Sequence, residues 1–197
     1  MSNIGNAARV AQAVGITASA FAAGSIFTFS LAMIPALLLP STNSPKRTFD
    51  SQEQPGTPIS HVCTQWRHAY NVGKATMPFI SLVAGAAYTY AAHSFRKLPA
   101  RDVTTSNMYL IAAALSIGII PYTLVVMQPT NKRLMGRAEQ ADVEGPTARE
   151  KVDIRASKED TVVINWLKTW RTLNFVRALL PFSASLLGVS ATLHSIE

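Results

Sequence analysis

Residues 166–177 read Trp-Leu-Lys-Thr-Trp-Arg-Thr-Leu-Asn-Phe-Val-Arg, and they run straight into 178–196, which holds no Lys, Arg, Asp or Glu. A spanning helix is expected to turn purely hydrophobic at this point, yet Asn174 and Arg177 sit there. On a helix, at about 100° per residue, Trp166, Trp170, Asn174 and Arg177 fall within one stripe about 80° wide. Continued C-terminally, the stripe holds Pro181, Ala184, Gly188, Thr192 and Ser195, while Phe175, Leu179, Phe182, Leu186, Val189 and Leu193 lie opposite. This division predicts a helix whose large apolar side chains face lipid and whose polar and small ones face other helices. An arginine on the inner face of a membrane helix is expensive, which marks it as a functional residue.

The rest of the chain supports a membrane setting. Of its 197 residues, 48% are hydrophobic and only 15% are charged, with a mean hydropathy of +0.18; a soluble domain carries about 25% charged residues. The deficit is concentrated in stretches 10–45, 75–95, 103–131 and 178–196, which are 36, 21, 29 and 19 residues long and free of Lys, Arg, Asp and Glu. About 20 residues cross a bilayer as a helix. The expected fold is therefore an all-α, integral membrane four-helix bundle forming a single domain, with spans near 10–38, 70–95, 104–127 and 172–195 and a polar loop at 128–160. The first run is too long and too late for a signal peptide and is read as a retained span.

The net charge of +7 resides in the connections rather than on one helix face. It reads as charge for lipid headgroups and gives no nucleic-acid platform. Cys63 is the single cysteine, so an internal disulfide and a four-cysteine zinc site are both excluded.

In the first span Ala11, Gly15, Ser19 and Ala23 recur every four residues, the spacing that lets membrane helices approach closely, and Pro35 is expected to kink or end it. Residues 61–95 read as one long helix, with Trp66, Tyr70, Gly73, Met77, Ser81, Ala84 and Tyr88 on one face and His61, Gln65 and His68 roughly opposite. Thr104 or Thr105 starts the third span, and Pro121 predicts a kink. Within the polar loop, 131–141 reads as a short amphipathic helix, and Ser157-x-x-Asp160 is a capping box that starts the last helix.

Four spans place the start of the second helix, the end of the third and the start of the fourth at one membrane face. Trp66, Tyr70, Lys74, Tyr122, Thr123, Asn131, Trp170, Asn174 and Arg177 thus share a depth and outline a polar, aromatic-lined pocket at one end of the bundle. The loop 128–160 covers the expected mouth and reads as a gate; its Lys and Arg residues favour a cytosolic mouth, while the short basic turn Arg96–Arg101 argues for the opposite orientation. The expected location is an endoplasmic reticulum or other endomembrane, with a multi-pass topology.

These residues resemble a known family. Trp66 followed by Tyr70, Gly73, Lys74 and Pro78 looks like the second-helix motif of the anthrone oxygenases. Pro121-Tyr122-Thr123 with Pro129-Thr130-Asn131 and Leu134 is similar to the family's third-helix signature, and Trp170, Asn174 and Arg177 match its fourth-helix pattern. Several members oxidise polyketide anthrones to anthraquinones. The resemblance implies dioxygen as co-substrate and no flavin, haem or metal. The sequence agrees, since it offers no nucleotide-binding fingerprint. On this reading Arg177 stabilises an anionic substrate oxygen, Asn174 and Asn131 donate hydrogen bonds, and Lys74 or His68 accepts the methylene proton. Trp66, Tyr70, Tyr122, Thr123 and Trp170 contact the rings. The expected partners are a hydrophobic aromatic small molecule, dioxygen and membrane lipid.

Plainer readings compete. Arg177 and Asn174 tie helices together, Lys74 snorkels to headgroups, Trp166 belongs to an interfacial belt, and Asn131 caps a helix. His61 and His68 lie two helical turns apart, too far for joint metal ligation. The rival function is non-enzymatic: a small membrane protein that binds lipid or scaffolds partner enzymes.

Overall fold

The computed structural model describes residues 5–40, 55–97, 102–144 and 154–195, with side chains from 159 onward in the last segment. All the long elements among them are helices. We number four: α1 over Asn6–Leu37, α2 over Ile59–Arg96, α3 over 103–144 and α4 over Ile154–His194. Each packs on its two neighbours in a ring, α1 on α2 and α4, α3 on α2 and α4. This is the up-down-up-down bundle that the four apolar stretches imply.

The stripes read from the sequence are the ones buried. Trp170, Asn174, Arg177, Pro181, Ala184 and Gly188 of α4 are inside, while Phe175, Leu179, Phe182, Leu186, Val189 and Leu193 are outside. Ala11, Gly15, Ser19 and Ala23 of α1 are all buried. The small residues have a specific load to accommodate. A Cβ at Gly15 would lie 2.8 Å from the Tyr88 ring and one at Gly188 would lie 2.5 Å from the Tyr88 hydroxyl, so the two glycines form a slot for that ring. The hydroxyl is satisfied there by Ser19 at 2.9 Å and by donation to the Ala184 carbonyl at 3.1 Å.

Three features differ from the sequence expectation. Among the described residues three helical stretches, Asn6–Leu37, Val103–Val143 and Glu159–His194, are long and apolar enough to cross a membrane, against four expected spans. The second helix has the length, but Thr76, Pro78, Ser81, Tyr88, Thr89 and Tyr90 dilute its uncharged run. The stretch 128–160 is not a loop at its two ends. Gln128–Glu144 continues α3 as helix, and α4 already begins at Ile154, so Ser157 lies inside α4 rather than capping it. Apolar burial explains this extension: Leu134 and Ala138 of α3 pack with Val62, Cys63 and Trp66 of α2 and Val163 and Leu167 of α4. An Arg67–Asp142 pair with bonds of 2.7 and 3.1 Å flanks that contact. Finally, α3 starts at Val103, one residue before Thr104, because Asp102 caps it by accepting from the Thr105 N–H at 2.9 Å.

Proline acts differently from a simple kink. Two π-helical stretches occur, Phe29–Met33 in α1 and Thr123–Met127 in α3, and each ends two residues before a proline, Pro35 and Pro129. In α1 the Ile34 N–H donates to the Phe29 carbonyl, five residues back. Pro35 has no N–H to give to Ser30. The Ser30 carbonyl is therefore left to a side chain, and Arg171 Nε of α4 donates to it at 2.9 Å.

Candidate active site

The two π-helical stretches sit on either side of the α4 stripe, and each gives it a polar anchor. On the α1 side, Asn174 Nδ2 donates to the Ile26 carbonyl and to Ser30 Oγ, both at 3.0 Å. On the α3 side, Arg177 Nη1 donates to Thr123 Oγ1 at 3.2 Å. The Thr123 hydroxyl spends its own proton on the Ile119 carbonyl at 2.6 Å, which leaves its lone pairs facing the guanidinium. π-Helical turns are frequent at functional sites because they re-aim side chains and free backbone groups.

Between α2, α3 and this stripe lies a cavity of about 260 Å³. Tyr70, Gly73, Lys74, Met77 and Pro78 line it from α2, Ile119, Ile120, Thr123 and Leu124 from α3, and Trp170 and Arg177 from α4, with Phe29 of α1 at the back. The walls are largely apolar, and no Asp or Glu lines them. Arg177 is 9% exposed, and its Nε has no hydrogen-bond partner among the described residues. A guanidinium buried here is a cation without a counter-charge in its cavity.

Five of the sequence-predicted residues therefore meet at one void: Tyr70, Lys74, Thr123, Trp170 and Arg177. The others stand behind or away from it. Trp66 stacks on Tyr70 at 5.1 Å and meets Trp170 edge-on at 5.8 Å, so it backs the aromatic wall instead of lining it. Asn131 accepts from Trp170 Nε1 at 2.9 Å and so orients that indole; it lies within helix Gln128–Glu144 and is not a cap. Tyr122 donates to the Leu173 carbonyl at 3.3 Å, tying α3 to α4. The Asn174 amide is committed to α1, which leaves only its acceptor oxygen without a partner among the described residues. Asn174 is thus placed to position α4, and the expected donor role has no free donor behind it. His68 is exposed and off the cavity, because it lies on the far side of α2 from Tyr70 and Gly73. Among the described residues no cluster of His, Cys, Asp and Glu is arranged to hold a metal ion.

Sequence reasoning did not reach Ser30, Arg171, Phe29 or the Ile119–Ile120 wall. A signal for the first two existed in Pro35, whose missing N–H frees a carbonyl one helical turn earlier. The apolar lining carried none, since an isoleucine facing a cavity reads like one facing lipid.

Comparison with known proteins gives the geometry a lineage. The sequence profile of the anthrone oxygenases matches residues 66–187, which takes in every cavity-lining residue of α2, α3 and α4 and leaves out Phe29 of α1. The anthrone oxygenase encC of Aspergillus fumigatus is 31% identical over 184 residues, covering 93% of each chain. An anthrone oxygenase of Claviceps purpurea is 29% identical over 89% of this chain and 84% of its own. The noranthrone monooxygenase of Aspergillus flavus is 26% identical over 89% of this chain and 70% of its own. No solved structure matches. The chain belongs to the anthrone oxygenase family.

Proposed function

We propose that this protein is a membrane-embedded oxygenase that converts a polyketide anthrone, or a similar flat phenolic polycycle, to the anthraquinone with dioxygen and without a cofactor. Relatives named as anthrone oxygenase and noranthrone monooxygenase support the reaction class. The observation that carries the reading is Arg177, a buried cation lining a largely apolar cavity with no carboxylate on the walls. An arginine on the inner face of a membrane helix is costly to bury. A substrate that becomes an anion on reaction offsets that cost, and most strongly after it has ionised.

The chemistry follows from that preference. The central methylene loses a proton, and the resulting enolate-like anion passes electrons to dioxygen as a C–O bond forms. The O–O bond then breaks with loss of water, so a methylene and a dioxygen become a carbonyl and a water. Arg177 holds the anionic oxygen, an interaction much stronger at low dielectric than in water. Lys74, on the facing helix, is assigned the methylene proton. Tyr70 and Trp170 bracket the rings.

The test uses purified protein in detergent with a chelator, an anthrone and labelled dioxygen. Wild-type protein is expected to take up oxygen and place label in the quinone above the spontaneous rate. Arg177→Leu removes the charge-stabilising donor and is expected to lower kcat by about 10²–10³. Wild-type rates in that variant would falsify the assignment of Arg177, and loss of activity with chelator would overturn the cofactor-free reading.

A further inference from the structure

Resting on the reading of the cavity as the anthrone site, we infer that it is filled from the side, out of the lipid layer. Leu124 of α3 stands at the doorway, and Gly73 of α2, beside Phe29 of α1, sets the width of ring system that the cavity takes.

The route along the bundle axis is closed. Trp66, Met127, Leu134 and Leu167 are each fully buried, and together with Trp170 they form one packed cluster between the cavity and that end of the bundle. This is where an opening gated by the 128–160 segment was expected, and packed side chains stand there instead. In the opposite direction Ile26, Met77, Ile119 and Ala178 close the space with a second buried cluster.

The flank between α2 and α3 is different. Leu124 lines the cavity and is also 61% exposed on the outer surface, and its neighbour Val125 is 75% exposed. A residue that faces both a void and the exterior marks where the void reaches the surface. Phe79 and Leu82 of α2 and Val126 of α3 are exposed nearby in sequence, so the surrounding surface is apolar. That is a lipid-facing surface, and a flat hydrophobic tricycle partitions into the same phase. The phenolic end can travel past Lys74, which lines the cavity and is exposed.

Gly73, inside the doorway, measures width. A Cβ built there meets no atom nearer than Phe29 Cε2 at 3.9 Å, so a side chain would project into the void itself. Gly24, Gly118 and Gly136 are about as open, but none of them lines the cavity; other helix glycines are closely packed. A Cβ at Gly15 or Gly188 would overlap Tyr88, and one at Gly85 would lie 2.6 Å from Ile117. Those three serve packing between helices, whereas Gly73 keeps space for a ligand.

The experiment measures binding and turnover separately. Wild type, Gly73→Ala, Gly73→Leu and Leu124→Trp are purified in lipid nanodiscs, and thermal melting confirms that each is folded. Binding of an unsubstituted anthrone and of ring-substituted, wider analogues is read from quenching of tryptophan fluorescence, and turnover from oxygen uptake. The expected result is a graded loss, small in Gly73→Ala and tenfold or more in Gly73→Leu and Leu124→Trp, steepest for the widest analogue and seen in KM more than in kcat. Diluting a fixed amount of anthrone with more lipid should slow turnover, since the lipid-phase concentration is what feeds the door. Wild-type binding by Gly73→Leu and Leu124→Trp across the series, or indifference to lipid dilution, overturns the doorway while leaving the oxygenase reading intact. Wild-type protein that binds the series with this width dependence but consumes no oxygen supports the doorway and sinks the oxygenase reading.

Discussion

Arg177 and Asn174 are three residues apart on the same stripe, yet the fold gives them different work. Arg177 touches the cavity and keeps an unused donor, while Asn174 spends its amide on the Ile26 carbonyl and Ser30 Oγ. Asn174→Ala is therefore expected to cost about 1–3 kcal/mol of stability through lost buried hydrogen bonds, read as a lower melting temperature in detergent, with less effect on kcat than Arg177→Leu. Thr123→Val leaves the guanidinium without its 3.2 Å acceptor. It should reduce turnover about tenfold, the size of one such bond at 1.4 kcal/mol per decade, while melting stays within a few degrees of wild type. Cys63 is fully buried, and burial pushes its thiol up to about 11. At pH 8 it is protonated and shielded, so a thiol reagent should leave it unmodified until the protein is denatured; fast labelling of the native protein would contradict the packing around it.

At the scale of elements, the glycines separate helix packing from helix propensity. Gly188 lies against Tyr88, and a Cβ there would sit 2.5 Å from the hydroxyl. Gly188→Ala forces the ring or the helix aside, and overpacking of this kind costs about 1–3 kcal/mol. Gly136→Ala is the control, because nothing lies within 4 Å of its Cβ position; it should leave stability unchanged or raise it by up to about 1 kcal/mol through helix propensity. Melting of the two variants side by side gives opposite signs if the Tyr88 slot is as described. The π-helical stretches belong to this scale too. Pro35 and Pro129 lack the N–H that a regular turn requires, and the freed geometry lets α1 receive Arg171 and α3 turn Thr123 towards Arg177.

The whole molecule is a bundle with a belt and an extension. Exposed Phe79, Leu124, Val125, Phe182 and Leu186 form part of an apolar exterior, while the ends of α2, α3 and α4 continue past it around Trp66, Leu134 and Leu167. With three helices apolar enough to cross a membrane, the protein is expected to resist extraction by alkaline carbonate and to come out only in detergent; its release by carbonate would contradict a spanning topology. The α2 helix, less apolar by composition, is held by its contacts with α1 and α3. It carries Tyr70, Gly73 and Lys74, the polar side of the cavity.

The sequence by itself determined the helices, which faces of them are buried, and the depth at which Tyr70, Lys74, Thr123, Trp170 and Arg177 meet. All of these follow from periodicity, charge-free run length and the alternation of chain direction, which are local properties summed along the chain. Tertiary structure decided which of the nine converging residues line a void and which hold the wall. That choice depends on rotamers and partners from other helices, as when Asn131 takes the Trp170 indole N–H and Asn174 turns to α1. It also decided that the short helix read at 131–141 spans Gln128–Glu144 and continues α3, because the apolar residues that stabilise it lie on α2 and α4, far away in sequence. The inferred side-facing mouth has the same origin: among the described residues a packed cluster assembled from three helices closes the axis, and the cavity reaches the exterior at Leu124.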